Sequence, residues 1–180
     1  MKIFIASDIH GSAYWCEKML AAFDAEGADK MLLLGDILYH GPRNDLPRDY
    51  APKKVIEMLN ARKDRILCVR GNCDSEVDQM VLEFPIMAEW GWLCLGGRNV
   101  IATHGHRLAD PTRPTLRPRD ILLCGHTHVP ACDVRPEYTY VNPGSVSIPK
   151  ENSEQSYILA TDERLEWKNL DGKSYRVFEL

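Results

Sequence analysis

No apolar run in this 180-residue chain approaches the roughly 20 residues that span a bilayer. Nor does the N-terminal stretch Lys2-Ile3-Phe4-Ile5-Ala6 carry a basic segment, a long apolar segment and a small-residue cleavage site, so no signal peptide is expected. Cys16, Cys68, Cys73, Cys94, Cys124 and Cys132 form no C-x-x-C pair, and several sit inside apolar runs, where free cysteine behaves as a small hydrophobe. A reduced, cytoplasmic setting is the expectation. Basic charge is also short: 22 Lys and Arg against 26 Asp and Glu leave a net charge of -4. That balance argues against a broad basic face gripping nucleic acid, and extended nucleic-acid binding is not expected. It does not exclude a small phosphate-bearing substrate, because bound divalent cations reverse local charge. Internal repeats, linkers and low-complexity stretches are missing too. At 44% hydrophobic and 27% charged, residues 1–180 read as a single domain with a substantial core.

What the chain does contain is a recurring phrase: an apolar run, a break, then Asp, Asn or His. Ile3 to Ala6 reads as a buried strand ending in Ser7-Asp8-Ile9-His10. Ser12 can cap a helix with Trp15, Met19, Leu20 and Phe23 on one face, which Gly27 stops. Met31 to Leu34 is a second strand ending in Gly35-Asp36, so the two strands are expected to lie parallel with both acids at one edge. A helix is expected from Pro52, with Val55, Ile56 and Leu59 buried, before the strand Ile66 to Val69 and its terminus Gly71-Asn72-Cys73-Asp74. Asp74 or Ser75 can cap a short helix through Met80 and Leu82, ended by Pro85.

Beyond Pro85 strands follow without long helices. Trp92 to Leu95 and Val100 to Thr103 flank the hairpin turn Gly96-Gly97, and the second runs into His104-Gly105-His106. Ala109 to Pro118, with three prolines, reads as a loop. Ile121 to Cys124 leads to Gly125-His126-Thr127-His128, whose two histidines suit either metal ligation or a polar turn. Thr139 to Val141 precedes the turn Asn142-Pro143-Gly144-Ser145. Tyr157 to Ala160, Leu165 to Trp167 and Tyr175 to Phe178 read as a closing antiparallel meander. The expected fold is α/β (α+β): a four-layer αββα sandwich of two mixed sheets, with helices mainly on the first-half side.

The recurring strand ends supply Asp8, His10, Asp36, Asn72, His104, His126 and His128, a carboxylate, amide and imidazole set without thiolate. Such donors suit manganese, iron, nickel or zinc at coordination numbers above four, whereas structural zinc favours cysteine. Seven ligands are too many for one ion and point to two.

At these positions the chain resembles the calcineurin-like metallophosphoesterases, whose motifs D-x-H, G-D, G-N-H-D/E, H and G-H-x-H occur in this order; the likeness is greatest to the small bacterial YfcE-type phosphodiesterases. The resemblance implies two divalent ions, foremost manganese, with iron, nickel, zinc and magnesium as alternatives. Asp8, His10 and His128 would hold one ion, Asn72, His104 and His126 the other, and Asp36 would bridge them. The implied activity is phosphodiester hydrolysis by in-line attack of a hydroxide held between ions about 3.5–4 Å apart. A non-catalytic scaffold of the same fold, like the retromer subunit, and a phosphomonoesterase are the rival readings.

One departure stands at Cys73, where many relatives carry a histidine that protonates the leaving group; thiol is a weak donor, so esters with poor leaving groups should suffer. Asp74 without that partner is expected to act as a helix cap. His40 and Arg43, with Asp36 and Asn72, complete the expected catalytic set: an Arg fork suits phosphate and His40 can donate to an ester oxygen. The plain alternative is Arg43 paired with Asp45 and His40 solvated. His106 is expected to orient a ligand or line the pocket, Asn142 to Ser145 to shape its floor, and Arg70 to make a surface ion pair. The expected partner is a small phosphodiester; no membrane is involved, and a homo-oligomer is compatible with the sequence.

Overall fold

Alternation along the strands decides the layering. In β1 (Ile3–Ala6), Ile3 and Ile5 face one hydrophobic cluster while Phe4 and Ala6 face another, as the two-residue period of a strand requires. The computed structural model describes all 180 residues, and every residue of β1 is buried. Helix α1 (Ala13–Glu26) turns Cys16, Met19, Leu20 and Phe23 onto the Phe4 side. It begins where the Ser12 hydroxyl accepts the Trp15 N–H and ends at Gly27 in the left-handed region. β2 (Lys30–Leu33), α2 (Pro52–Asn60) and β3 (Ile66–Cys68) repeat the pattern, with Val55 and Leu59 buried and Ile56 only partly so.

α3 (Glu76–Gln79) is shorter than the helix expected through Leu82. Ser75, not Asp74, caps it, in a reciprocal box with Asp78. The Gln79 amide then donates to the Leu82 and Phe84 carbonyls and accepts from the Ile86 N–H, which draws the chain out of the helix.

The second sheet comprises β4 (Gly91–Leu95), β5 (Arg98–Ala102), β6 (Ile121–Leu123), β7 (Ala131–Val134) and β8 (Thr139–Asn142), in the order β4-β5-β6-β8-β7. β7 was not expected: Ala-Cys-Asp-Val shows no clear apolar alternation, because it is an edge strand paired only with β8. The meander β9 (Ser156–Ala160), β10 (Arg164–Asn169) and β11 (Ser174–Glu179) returns to the first sheet, where β9 lies antiparallel to β1 and the order is β11-β10-β9-β1-β2-β3.

Ile5, Leu34, Ala102, Leu123, Val141, Ile158 and Trp167 fill the space between the sheets. All three α-helices belong to the first half. On the outer face of the second sheet, Ile101, Leu122 and Cys124 are covered by Leu108 and Leu116 of the irregular 105–120 segment in place of a helix. β1, β2 and β3 run parallel in one sheet, and β5, β6 and β8 in the other. Their C-terminal ends carry the residues of interest. No helix is long and apolar enough to cross a membrane.

Candidate metal centre

Asp8 and His10 follow β1, Asp36 follows β2, Asn72 follows β3, His104 follows β5, and His126 and His128 follow β6. Asp8, His10, Asp36, His126 and His128 all have positive φ, between 50° and 67°, which costs a residue bearing Cβ. Such strain persists where surrounding contacts over-determine it, and it concentrates at functional sites. The contacts are visible. The Asp8 N–H donates to the Gly35 carbonyl, the His10 N–H to the Asp36 carbonyl and the His126 N–H to Asp8 Oδ2 at 3.1 Å.

The imidazole hydrogen bonds fix where the lone pairs point. His10 Nδ1–H donates to the Tyr39 carbonyl (2.7 Å), His128 Nδ1–H to Ile148 (2.7 Å) and His104 Nδ1–H to Leu34 (2.6 Å). In each neutral ring Nε2 is then a bare lone pair. His10 Nε2 and His128 Nε2 nevertheless lie 3.3 Å apart, and Asp8 Oδ1 is 3.5 Å and 3.2 Å from them. Asp8 Oδ1 is buried with no hydrogen-bond partner. On the other side, His104 Nε2 faces Asn72 Oδ1 (3.0 Å) and His126 Nδ1 (3.2 Å). Asp36 Oδ2 stands between, 3.6 Å from His10 Nε2 and 3.4 Å from His104 Nε2. Converging lone pairs repel unless positive charge sits among them, so the donor set fits divalent cations.

Without an ion, protons take that place. Burial opposes charging His104, but its hydrogen bond to Asp36 and the Asp8 and Asp36 charges raise its pKa to about 9; His10 is raised in the same way by Asp8. Burial would raise Asp8 and Asp36, yet the facing imidazoles outweigh it and hold both carboxyls below their usual range. Cys73 approaches the same cluster, and its sulfur can share a set with His10 and Asp36. With no ion bound, burial and the neighbouring Asp36 push its thiol well above the usual range.

Asp74, expected as a helix cap, instead secures the loop behind Asp36. Its Oδ2 accepts the N–H groups of Asp36 (2.8 Å) and Gly71 (2.7 Å), and its Oδ1 that of Ile37 (2.9 Å). Gly71 is required there, because a Cβ would lie 2.1 Å from Asp36 Oδ1. Gly125 is required likewise, since its Cβ would meet Ser7 Oγ at 2.0 Å. The Asn142–Ser147 turn supports the floor: Asn142 Nδ2 donates to the Gly125 carbonyl, and Ser145 and Ser147 hydroxyls both donate to the Asp8 carbonyl.

These loops enclose a cleft of about 330 Å³, lined by His10, Asp36, Asn72, His126 and His128 together with Arg43, Asn44, Cys73 and Lys150. Arg43 faces it and makes no ion pair with Asp45. His40 does not line it: its ring packs edge-on against Tyr39 and Tyr50, at 4.8 Å and 5.2 Å between centroids, because the loop turns at Gly41. His106 stands behind His104 and His126 and also lies outside the lining. Arg70 makes the expected ion pairs, with Glu76 and Glu89. Lys150 is the lining residue the sequence reading missed. Its only signal is position, as the first cation after the Asn142–Ser145 turn.

Two mixed sheets, six parallel strands with their ends on one rim and this donor cluster define a class of phosphoesterase. Residues 1–164 match the calcineurin-like phosphoesterase superfamily domain, and the chain belongs to that family. Phosphodiesterase YfcE of Escherichia coli strain K12 is 50% identical over 157 residues, spanning 87% of this chain and 85% of that protein. A solved structure of YfcE, a phosphoesterase from E. coli, matches with a TM-score of 0.93 at 45% identity over 99% of each chain. Vps29 from Entamoeba histolytica, solved with Zn2+, reaches a TM-score of 0.58 at 17% identity over 99% of each chain, a likeness of fold alone.

Proposed function

We propose that the chain is a metal-dependent phosphodiesterase that holds two divalent ions, one on Asp8, His10 and His128, the other on Asn72, His104 and His126, with Asp36 shared. The observation that carries this reading is the convergence of Nε2 from His10, His128 and His104 on two buried carboxylates, Asp8, whose Oδ1 has no hydrogen-bond partner, and Asp36. Manganese suits this nitrogen and oxygen donor set. Bound ions would supply Lewis-acid charge for the phosphoryl oxygens and an activated water for in-line displacement.

The chain's own residues do the rest. Tyr39, Ile148 and Leu34 carbonyls orient three imidazoles, and Asp74 holds the Asp36 loop rigid. Arg43, free of an acidic partner, offers its fork to a non-bridging phosphate oxygen. The likeness to phosphodiesterase YfcE supports a diester over a monoester substrate, and the complete donor set argues against a scaffold.

The test is hydrolysis of bis(4-nitrophenyl) phosphate by chelator-treated protein before and after adding manganese. Activity should appear only with the metal, and Asp36→Ala should lower it by about a hundredfold or more, beyond the range for outer partners of metal ligands. Full turnover in chelator, or near wild-type turnover by Asp36→Ala, would refute the reading.

A further inference from the structure

The cleft presents more positive charge than a simple diester needs. Its one lining carboxylate, Asp36, is committed to His10, His104 and the Cys73 N–H, whereas the lining also holds two full cations, Arg43 and Lys150. Neither cation has an acidic partner within ion-pair distance, although the protein as a whole is acidic. They come from independent supports. Arg43 rides the loop after β2, in a turn closed by the Asn44 amide on the His40 carbonyl. Lys150 rides the loop after β8, and its backbone is pinned on both sides. Its N–H donates to the carbonyl of His128, and its own carbonyl accepts the N–H and hydroxyl of Ser153. The Lys150 backbone is thereby held beside a candidate metal ligand, on the side of the cleft built by the second sheet, and the residue lines the cleft.

A diester phosphate bears one negative charge, which the ion cluster and Arg43 already oppose. A third, separately mounted and unpaired cation has no partner on such a substrate unless the substrate brings further charge. We propose that Lys150 binds a second anionic group, so that the cleft selects diesters carrying an additional phosphate or carboxylate near the scissile bond over neutral-armed ones. This inference rests on the phosphodiesterase reading above and names its substrate class. Lysine suits the task as a compact point charge that reaches an anion without demanding planar geometry.

The experiment compares two substrates with the same leaving group, thymidine 5′-(4-nitrophenyl phosphate) and its 3′-phosphorylated analogue, using manganese-treated protein. Wild type should show a KM about tenfold lower for the 3′-phosphorylated substrate, equivalent to roughly 1.4 kcal/mol. Lys150→Ala should bring the ratio of the two KM values close to one, Lys150→Arg should keep it, and Lys173→Ala, on the β10–β11 turn, controls for net charge alone. Equal KM values in wild type, or discrimination that survives Lys150→Ala, would overturn the proposal. A calorimetric titration with thymidine 3′,5′-bisphosphate and with thymidine 5′-phosphate, on protein as purified and after chelation, separates the two readings. If neither ester is cleaved, the phosphodiesterase reading fails. The Lys150 proposal then stands if wild type prefers the bisphosphate and Lys150→Ala does not, and falls if the preference is absent or unchanged.

Discussion

At the scale of single residues, the account turns on what occupies the space among the lone pairs. In chelated protein a proton on His104 does so, and its raised pKa of about 9 against 6.5 when unfolded sets a pH window. The associated stability is fully present below about pH 6.5 and is lost as pH rises towards 9. Metal binding must displace that proton, so manganese affinity should rise across the same window. Melting curves with chelator and with manganese should therefore diverge as pH increases; a constant gap between them would contradict the assignment. Cys73 makes a second test. A thiol is a weak donor, so Cys73 leaves the site without a strong acid where a histidine could stand, and aryl diesters should be cleaved much faster than alkyl diesters. Cys73→Ser should change aryl-diester turnover by less than about tenfold, whereas Cys73→His should improve alkyl diesters selectively; loss of an ion in Cys73→Ser would show the sulfur to be a ligand.

At the scale of elements, strand ends matter more than the strands. The apolar runs and the polar residues that end them are local patterns, so β1, β2, β3, β5, β6 and all seven ligand candidates were legible in the sequence. What was not legible depends on distant partners. β7 is an edge strand defined by β8, His40 is turned away by packing against Tyr50, and Lys150 faces the cleft only because its loop folds back on His128. Asp74 illustrates the same limit: beside Ser75 it reads as a cap, but two of its three backbone partners, Ile37 and Asp36, are 37 and 38 residues earlier. This loop clamp is testable. Asp74→Asn keeps one acceptor but introduces donors against backbone N–H groups, and each buried mismatch costs about 1–3 kcal/mol. We expect the variant to melt earlier and bind manganese more weakly. Gly71→Ala should be worse, because its Cβ meets the Asp36 carboxylate itself. Wild-type manganese affinity in Gly71→Ala, measured by calorimetry, would disprove that close approach.

At the scale of the molecule, the centre joins two sheets. The first supplies Asp8, His10, Asp36 and Asn72; the second supplies His104, His126 and His128. Each proposed ion takes donors from both, so metal binding should stabilise the sandwich as a ligand that prefers the native state. The sheets are also tied by Trp167, fully buried on β10, whose indole N–H donates to the carbonyl of Asn142 on β8 at 2.8 Å. Trp167→Phe removes that donor and should cost about 1–3 kcal/mol in chemical denaturation. Manganese should recover part of the loss; no recovery would mean that the ions do not bridge the sheets. The central claim, a two-ion centre sharing Asp36, is tested most directly by counting metal. Chelated protein titrated with manganese and analysed for metal content after removing free ion should retain two ions per chain, and Asp36→Ala fewer. A wild-type stoichiometry of one or none, or two ions retained with undiminished affinity by Asp36→Ala, would contradict it.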